Sequence, residues 1–230
     1  MNAEQTVGDL VTERPSRSRV FAQHGIDFCC GGGKSLSAAC ASKGLEVDKL
    51  IAELEAAEAP KPGEPVFAEM SLRELTEHLV STHHAYLRAE LPRLREMVHK
   101  VARVHAEKDA RLPQLAPVFD AFYTDMMPHL DKEEMILFPA ICNMELGHDA
   151  GNCFGHISGP ISVMESDHDQ VGQLLVRMRE LCNDYVVPAE ACNTWRAMLD
   201  GLQELEADTH QHVHLENNLL HKRAMKMAEA

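Results

Sequence analysis

The sequence predicts an all-α chain, an antiparallel four-helix bundle preceded by a small helical N-terminal domain. Three observations carry this reading. Apolar residues recur with a 3.6 period over four long stretches, β-branched alternation is nowhere sustained enough for a sheet, and a proline cluster separates the bundle from what precedes it. The chain of 230 residues, 45% hydrophobic with 13 Gly and 11 Pro, is long enough for one or two packed domains, and its composition excludes collagen, coiled-coil fibre and disorder.

Residues 1–58 form the first domain. Val7, Leu10 and Val11, then Val20 and Phe21, repeat at helical spacing; Asp27-Phe28-Cys29-Cys30-Gly31-Gly32-Gly33 breaks the chain, and a helical run with Leu50, Ile51 and Leu54 resumes from Leu36 to Ala57. Residues 59–69 read as a linker, because Pro60, Pro62 and Pro65 fall where no helix interior tolerates them. The bundle takes 70–230, with helices expected over Ser71–His105, Leu115–Met144, Pro160–Val186 and Pro188–Lys226. Ser71 with Glu74 three residues on is a capping box opening the first of them.

The charge balance narrows the partners. With 36 acidic against 22 basic residues the formal net charge is −14, and with no basic patch visible the chain suits no nucleic acid. No apolar run reaches the roughly 18–20 residues of a membrane span, and Met1 to Arg14 is polar and acidic rather than a signal peptide, so a cytoplasmic location with no membrane partner is expected. Seven cysteines without a secretory signal favour reduced thiols.

The 14 histidines are unusual. His129/Glu133 and His212/Glu216 each stand four apart, on one helix face, but composition alone supplies about two such His-to-acid pairs and the sequence has three, including His105/Asp109. An internal repeat lifts two pairs above that background. His84 precedes His129 by 45 residues and His168 precedes His212 by 44, and both halves carry Asp-x-x-x-His-x-x-x-Glu, with Asp125 and Asp208 leading. Two such hairpins would bring His84, His129, His168, His212, Glu133 and Glu216 to the bundle's centre. Six ligands exceed a tetrahedral zinc site, and mixed imidazole and carboxylate suit iron or manganese, with two carboxylates able to bridge a pair of metals. Two non-haem iron ions, carboxylate-bridged with an oxo or hydroxo bridge, are therefore the expected cofactor. Asp125 and Asp208, one turn before a ligating histidine, are candidates to accept its outer N–H.

The remaining histidines and thiols read differently. His83 should face solvent and His78 should lie off the ligating face; His105 should not ligate; His210, His214 and His221 should lie at the surface. His148, Cys153 and His156 fall in a glycine-rich loop, while Cys40, Cys142, Cys182 and Cys192 read as packing residues within helices. Cys29 and Cys30, adjacent beside glycines at a helix start, form a candidate thiol site for disulfide exchange or metal hand-over, against the alternative of two small buried apolar residues.

At these residues the chain resembles the repair-of-iron-centres family, hemerythrin-like di-iron proteins linked to recovery of iron–sulfur clusters after nitrosative and oxidative stress. The resemblance is carried by Asp27-Phe28-Cys29-Cys30-Gly31-Gly32, by His129-Leu-Asp-Lys-Glu133-Glu-Met-Ile-Leu-Phe-Pro, by Gly159-Pro-Ile-Ser-Val-Met-Glu-Ser-Asp-His168 and by His212-Val-His-Leu-Glu216-Asn-Asn, and it covers nearly the whole chain. It implies a left-handed bundle with a di-iron site at the same six residues. Two departures stand out: the segment from about Gly147 to Gly155 looks inserted, and His221-Lys222 replaces an expected Phe-Pro.

The functional expectation is a repair protein that donates labile iron and binds NO or O2, with damaged or apo iron–sulfur proteins as partners and a homodimer as a possible assembly. Two other classes stay open on the sequence. One is an enzyme that reduces NO or decomposes peroxide at the same irons, and the other is a hemerythrin-type O2 or NO sensor, which would need a fifth histidine that the sequence does not place.

Overall fold

The computed structural model describes residues 1–57, 65–148 and 155–229. They fall into two compact units, one drawn from Met1–Thr76, Ile141–Ser158 and His210–Ala230, the other from Glu77–Ala140 and Gly159–Thr209. Among the described residues there is no strand; the one β-bridge pairs Thr6 with Ser35. Most of the proline linker, residues 58–64, and most of the inserted segment, residues 149–154 with Cys153, lie outside the described residues.

The first unit opens with α1 (Val7–Glu13), α2 (Arg17–Gln23), α3 (Leu36–Lys43) and α4 (Val47–Ala56). Thr6 Oγ1 accepts the Asp9 N–H at 3.2 Å and Ser35 Oγ the Ala38 N–H at 3.2 Å, so hydroxyl caps start α1 and α3. The helical run expected from Leu36 to Ala57 is two helices. Gly44, at φ +66°, ends α3 in the left-handed conformation that glycine adopts without a Cβ penalty. Val7, Leu10, Phe21, Leu36, Leu50 and Leu54 are sealed into one apolar core together with Val213 from near the chain's C-terminus. The short N-terminal helices thus complete their burial on a piece of the last long helix.

Four long helical stretches follow a single turn of 3₁₀ helix at Phe67–Glu69. The first runs through α5 (Leu72–Leu79), a π-helical turn at Val80–His84 and α6 (Ala85–His105). The second is α7 (Leu112–Lys132), a π turn at Glu133–Leu137 and α8 (Phe138–Glu145); the third is α9 (Ser158–Leu181). The fourth comprises α10 (Asn193–Leu215), a π turn at Glu216–Leu220 and α11 (His221–Ala228). The Ser71 capping box is made in both directions, Ser71 N–H to Glu74 Oε2 at 2.8 Å and Glu74 N–H to Ser71 Oγ at 3.1 Å. Donation from the Ser71 N–H, and from the Ser71 hydroxyl at 2.9 Å, holds the Glu74 carboxyl below its ordinary pKa. Glu145, at the end of α8, adds a long-range cap by accepting the Leu72 and Arg73 N–H groups at 2.7 and 3.0 Å.

The second unit is the four-helix core. Leu91, Leu94 and Val98 of α6, Phe119, Phe122 and Met126 of α7, Val171 and Leu175 of α9, and Trp195, Met198 and Leu202 of α10 are all buried in one cluster. The link from His105 to Leu112 is short and makes α6 and α7 a hairpin. The third helix ends at Leu181, five residues before the expected Val186, because Asn183, Asp184 and Tyr185 take φ of 51°, 53° and 60° in succession. No helix continues through left-handed residues, so the fourth starts at Asn193 rather than Pro188. Among the described residues no helix is long and apolar enough to cross a membrane.

Candidate metal centre

His84 closes the first π turn, Glu133 opens the second and Glu216 opens the third. A π turn rotates the chain by about 80° per residue instead of 100° and re-aims side chains at the price of a wider ring. The three π turns therefore lie where three of the six expected ligands sit. His168, by contrast, lies in uninterrupted α9.

In the second unit, His129 Nε2 lies 3.1 Å from His168 Nε2 and 3.3 Å from Glu133 Oε1, and His84 Nε2 lies 3.4 Å from Glu133 Oε2. The two oxygens of one carboxylate thus face histidines of two different helices. In the first unit, His212 Nε2 lies 2.8 Å from Glu216 Oε1. All six side chains are at most 1% exposed. Within the second unit His129, Glu133 and His168 offer donor atoms within 4.8 Å of one another, enough to hold an ion. Carboxylates buried so completely need positive charge beside them. A donor set of imidazole nitrogens and carboxylate oxygens answers that need by holding cations, and these buried His/Glu clusters fit a metal site.

The outer nitrogens are fixed by carboxylates. His84 Nδ1 donates to Glu134 Oε1 at 2.9 Å and His129 Nδ1 faces Asp167 Oδ2 at 3.4 Å, which turns each Nε2 inward. Burial alone would raise both carboxyls, but hydrogen bonds from His84 and Arg88 hold Glu134 low, and Lys132 with His129 does the same for Asp167. The carboxylates proposed for this role from the sequence sit elsewhere. Asp125 is exposed, and Asp208 Oδ1 pairs with His83 Nδ1 at 2.8 Å. That pair also corrects the expectation for His83, which is buried because the π turn rotates it inward.

A second polar cluster lies at the N-terminal loop. The Asp27 carboxylate accepts the N–H groups of Cys29 and Cys30 at 3.0 Å and of Gly31 at 2.8 Å, holding the two thiols 4.0 Å apart. Asp27, Cys29 and Cys30 form another group of metal-capable side chains. Burial and the neighbouring Cys30 and Asp27 hold the Cys29 thiol well above its ordinary range, the Cys30 hydrogen bond contributing most. Cys29 is buried and Cys30 half-buried, so the apolar alternative describes only one of them. This loop rests on the helix that carries His212 and Glu216: Asn218 Nδ2 donates to the Cys29 carbonyl at 2.9 Å, and His214 Nδ1 donates to the Phe28 carbonyl at 3.3 Å. Gly8 and Gly32 make the approach possible, since a Cβ on either would lie within 2.6 Å of the Asn218 amide. His214 and His221 are accordingly buried, not at the surface as the sequence suggested, and His210 is half-buried against the Phe28 ring.

The Hemerythrin HHE cation binding domain matches residues 75–224, and a domain of unknown function (DUF542) matches residues 3–58. The chain belongs to the hemerythrin HHE cation-binding family. Among curated relatives of this hemerythrin chain is an iron-sulfur cluster repair protein YtfE of Yersinia pseudotuberculosis, 39% identical over 222 residues that cover 96% of this chain and 97% of the relative. The YtfE protein of Escherichia coli O81 matches with the same identity and coverage.

Sequence reasoning missed the π turns, the Glu134 and Asp167 partners and the Asn218 anchor. Glu134 adjoins a ligand candidate and Asp167 precedes another, so their adjacency was the available signal. Nothing in the spacing marks a π turn. Cys40 and Cys182 are buried as expected, Cys142 is half-buried, and Cys192 is exposed at the start of α10, because the fourth helix begins one residue after it.

Proposed function

We propose that this hemerythrin-family chain holds two non-haem irons at His84, His129, His168, His212, Glu133 and Glu216, and that it repairs iron–sulfur clusters damaged by nitrosative or oxidative stress. The observation that carries this reading is the complete burial of two His/Glu sets, His84, His129 and His168 around Glu133 in one unit and His212 with Glu216 in the other, donor chemistry that suits iron. Iron held there would supply electron exchange and affinity for a small diatomic ligand such as NO or O2.

The chain's own residues set the lability. Glu134 and Asp167 hold His84 and His129 with Nε2 inward, while His168 projects from the uninterrupted helix α9. Glu133 and Glu216 would each ligate from the first residue of a π turn, a local departure from α-helical hydrogen bonding, and loss of either carboxylate would free iron as cargo. The Asp27, Cys29 and Cys30 group, seated on the helix that carries His212 and Glu216, is the receiving thiol site in this reading, and damaged or apo iron–sulfur proteins are the clients. The YtfE relatives, named for iron–sulfur cluster repair, support the assignment.

The test is to purify the protein without oxygen, count its iron and mix it anaerobically with an iron-free cluster-scaffold acceptor. Transfer of iron, slowed in Cys30→Ser without change in the starting iron content, is the expected result. Iron that stays bound overturns donation. Multiple turnover of NO with an electron donor, without transfer, would make the chain a reductase instead.

A further inference from the structure

At the end of α6 lies a thiol–imidazole pair that the metal chemistry does not use. His105 is 7% exposed, its ring lies 5.1 Å from the Trp195 ring at an interplanar angle of 31°, and its Nε2 is 3.3 Å from Cys192 Sγ. His105 Nδ1 has no hydrogen-bond partner among the described residues. Cys192 is exposed and stands immediately before α10, where its carbonyl accepts the Arg196 N–H at 3.0 Å. It is therefore the N-cap residue of a 23-residue helix, a position where free N–H groups and the helix dipole favour negative charge.

We propose that Cys192 is a nucleophilic thiol, activated by His105 and the start of α10, and a site of S-thiolation by low-molecular-weight disulfides. His105 Nε2 takes the thiol proton, and Cys192 Sγ attacks one sulfur of the disulfide. A new S–S bond forms to Cys192 as the old one breaks, and the departing thiolate takes the proton from His105. No electron donor is needed, because the disulfide that is consumed is replaced by the mixed disulfide that forms.

Two further observations support selectivity. N–H groups of the first helical turn, that of Trp195 foremost, and the positive charge of Lys100 hold the Cys192 thiol below its ordinary range. Burial pushes Cys40 up and drives Cys182 to about 12, while Cys30 and burial raise Cys29. Cys192 also lies twenty residues before His212, ~30 Å along one helix, so its reaction is separable from metal binding.

The experiment treats the full-length, metal-loaded protein with oxidised glutathione and maps the modified cysteines by mass spectrometry over time. Cys192 is expected to react at least tenfold faster than any other cysteine, and His105→Gln to lower its rate at least fivefold. Lys100→Gln, on the exposed side of α6, should lower the rate about twofold at low salt and less at high salt. Preferential modification of another cysteine in the wild-type chain, a measurement that requires no variant to fold, would overturn the proposal. So would an unchanged rate in a folded His105→Gln.

Discussion

The two halves of the internal repeat place His129/Glu133 and His212/Glu216 alike, each on a helix that becomes a π turn at the glutamate. Around those shared positions the halves diverge. His214 and Asn218 are buried and hold the N-terminal loop, whereas their repeat counterparts, Asp131 and Met135, are exposed, Met135 by 77%. His221 is buried where the first half has Phe138, whose ring stacks 5.5 Å from His84. His84 closes a π turn, but its counterpart His168 sits in plain α-helix. The difference separates two demands on one repeat: the donor set keeps its symmetry, while the outer faces are specialised, one for seating the cysteine loop and the other for solvent.

The sharpest way to break the comparison is at the outer carboxylates. Glu134→Gln removes the charge that orients His84, and metal affinity should fall by roughly 10–100-fold, measured by competition with a chelator, as is typical when such partners are lost. An unchanged affinity would mean that packing against Phe138 alone orients His84. Next is the seat of the cysteine loop. Gly8→Ala puts a Cβ 2.3 Å from Asn218 Oδ1 and should cost about 1–3 kcal/mol by thermal unfolding. Combining it with Asn218→Ala, which clears the space, should recover part of that loss, whereas strictly additive effects would contradict the contact.

The smallest effect expected is on pH. Burial lowers the His214 pKa to about 4 from its ordinary 6.5, so the folded chain holds the ring neutral where the unfolded chain protonates it. The stability this gives is fully present above about pH 6.5 and is lost as the pH falls from there toward 4. Hydrogen-exchange protection factors at residues 27–33, taken relative to the intrinsic exchange rate at each pH, should fall over that window in the wild type and less in His214→Gln. Protection that is constant from pH 7 to 5 would sink the assignment.

Much of this was legible in the sequence, for definite physical reasons. Helix bounds came within a few residues where apolar periodicity and a capping box marked them, as at Ser71. They failed at Leu181, where three left-handed non-glycine residues end the helix without a glycine or proline to announce it. The six candidate donors, all buried, were legible because spacing and repetition survive any detail of backbone geometry. His83 was misjudged because a 100° wheel does not describe a π turn. The pairings of Glu134, Asp167 and Asn218 were not legible because their partners lie 38 or more residues away in sequence, and no local period encodes such a contact. Cys192 was taken as a packing residue because the helix start was placed at Pro188.

The central claim is that Glu133 and Glu216 each serve two metals. Elemental analysis of anaerobically purified wild type, Glu133→Leu and Glu216→Leu, alongside circular dichroism, tests it directly. The account predicts two irons per wild-type chain and loss of the pair, not of one iron, in either variant while helicity is kept. A variant that retains two irons, or a helical wild type that binds none, would contradict it.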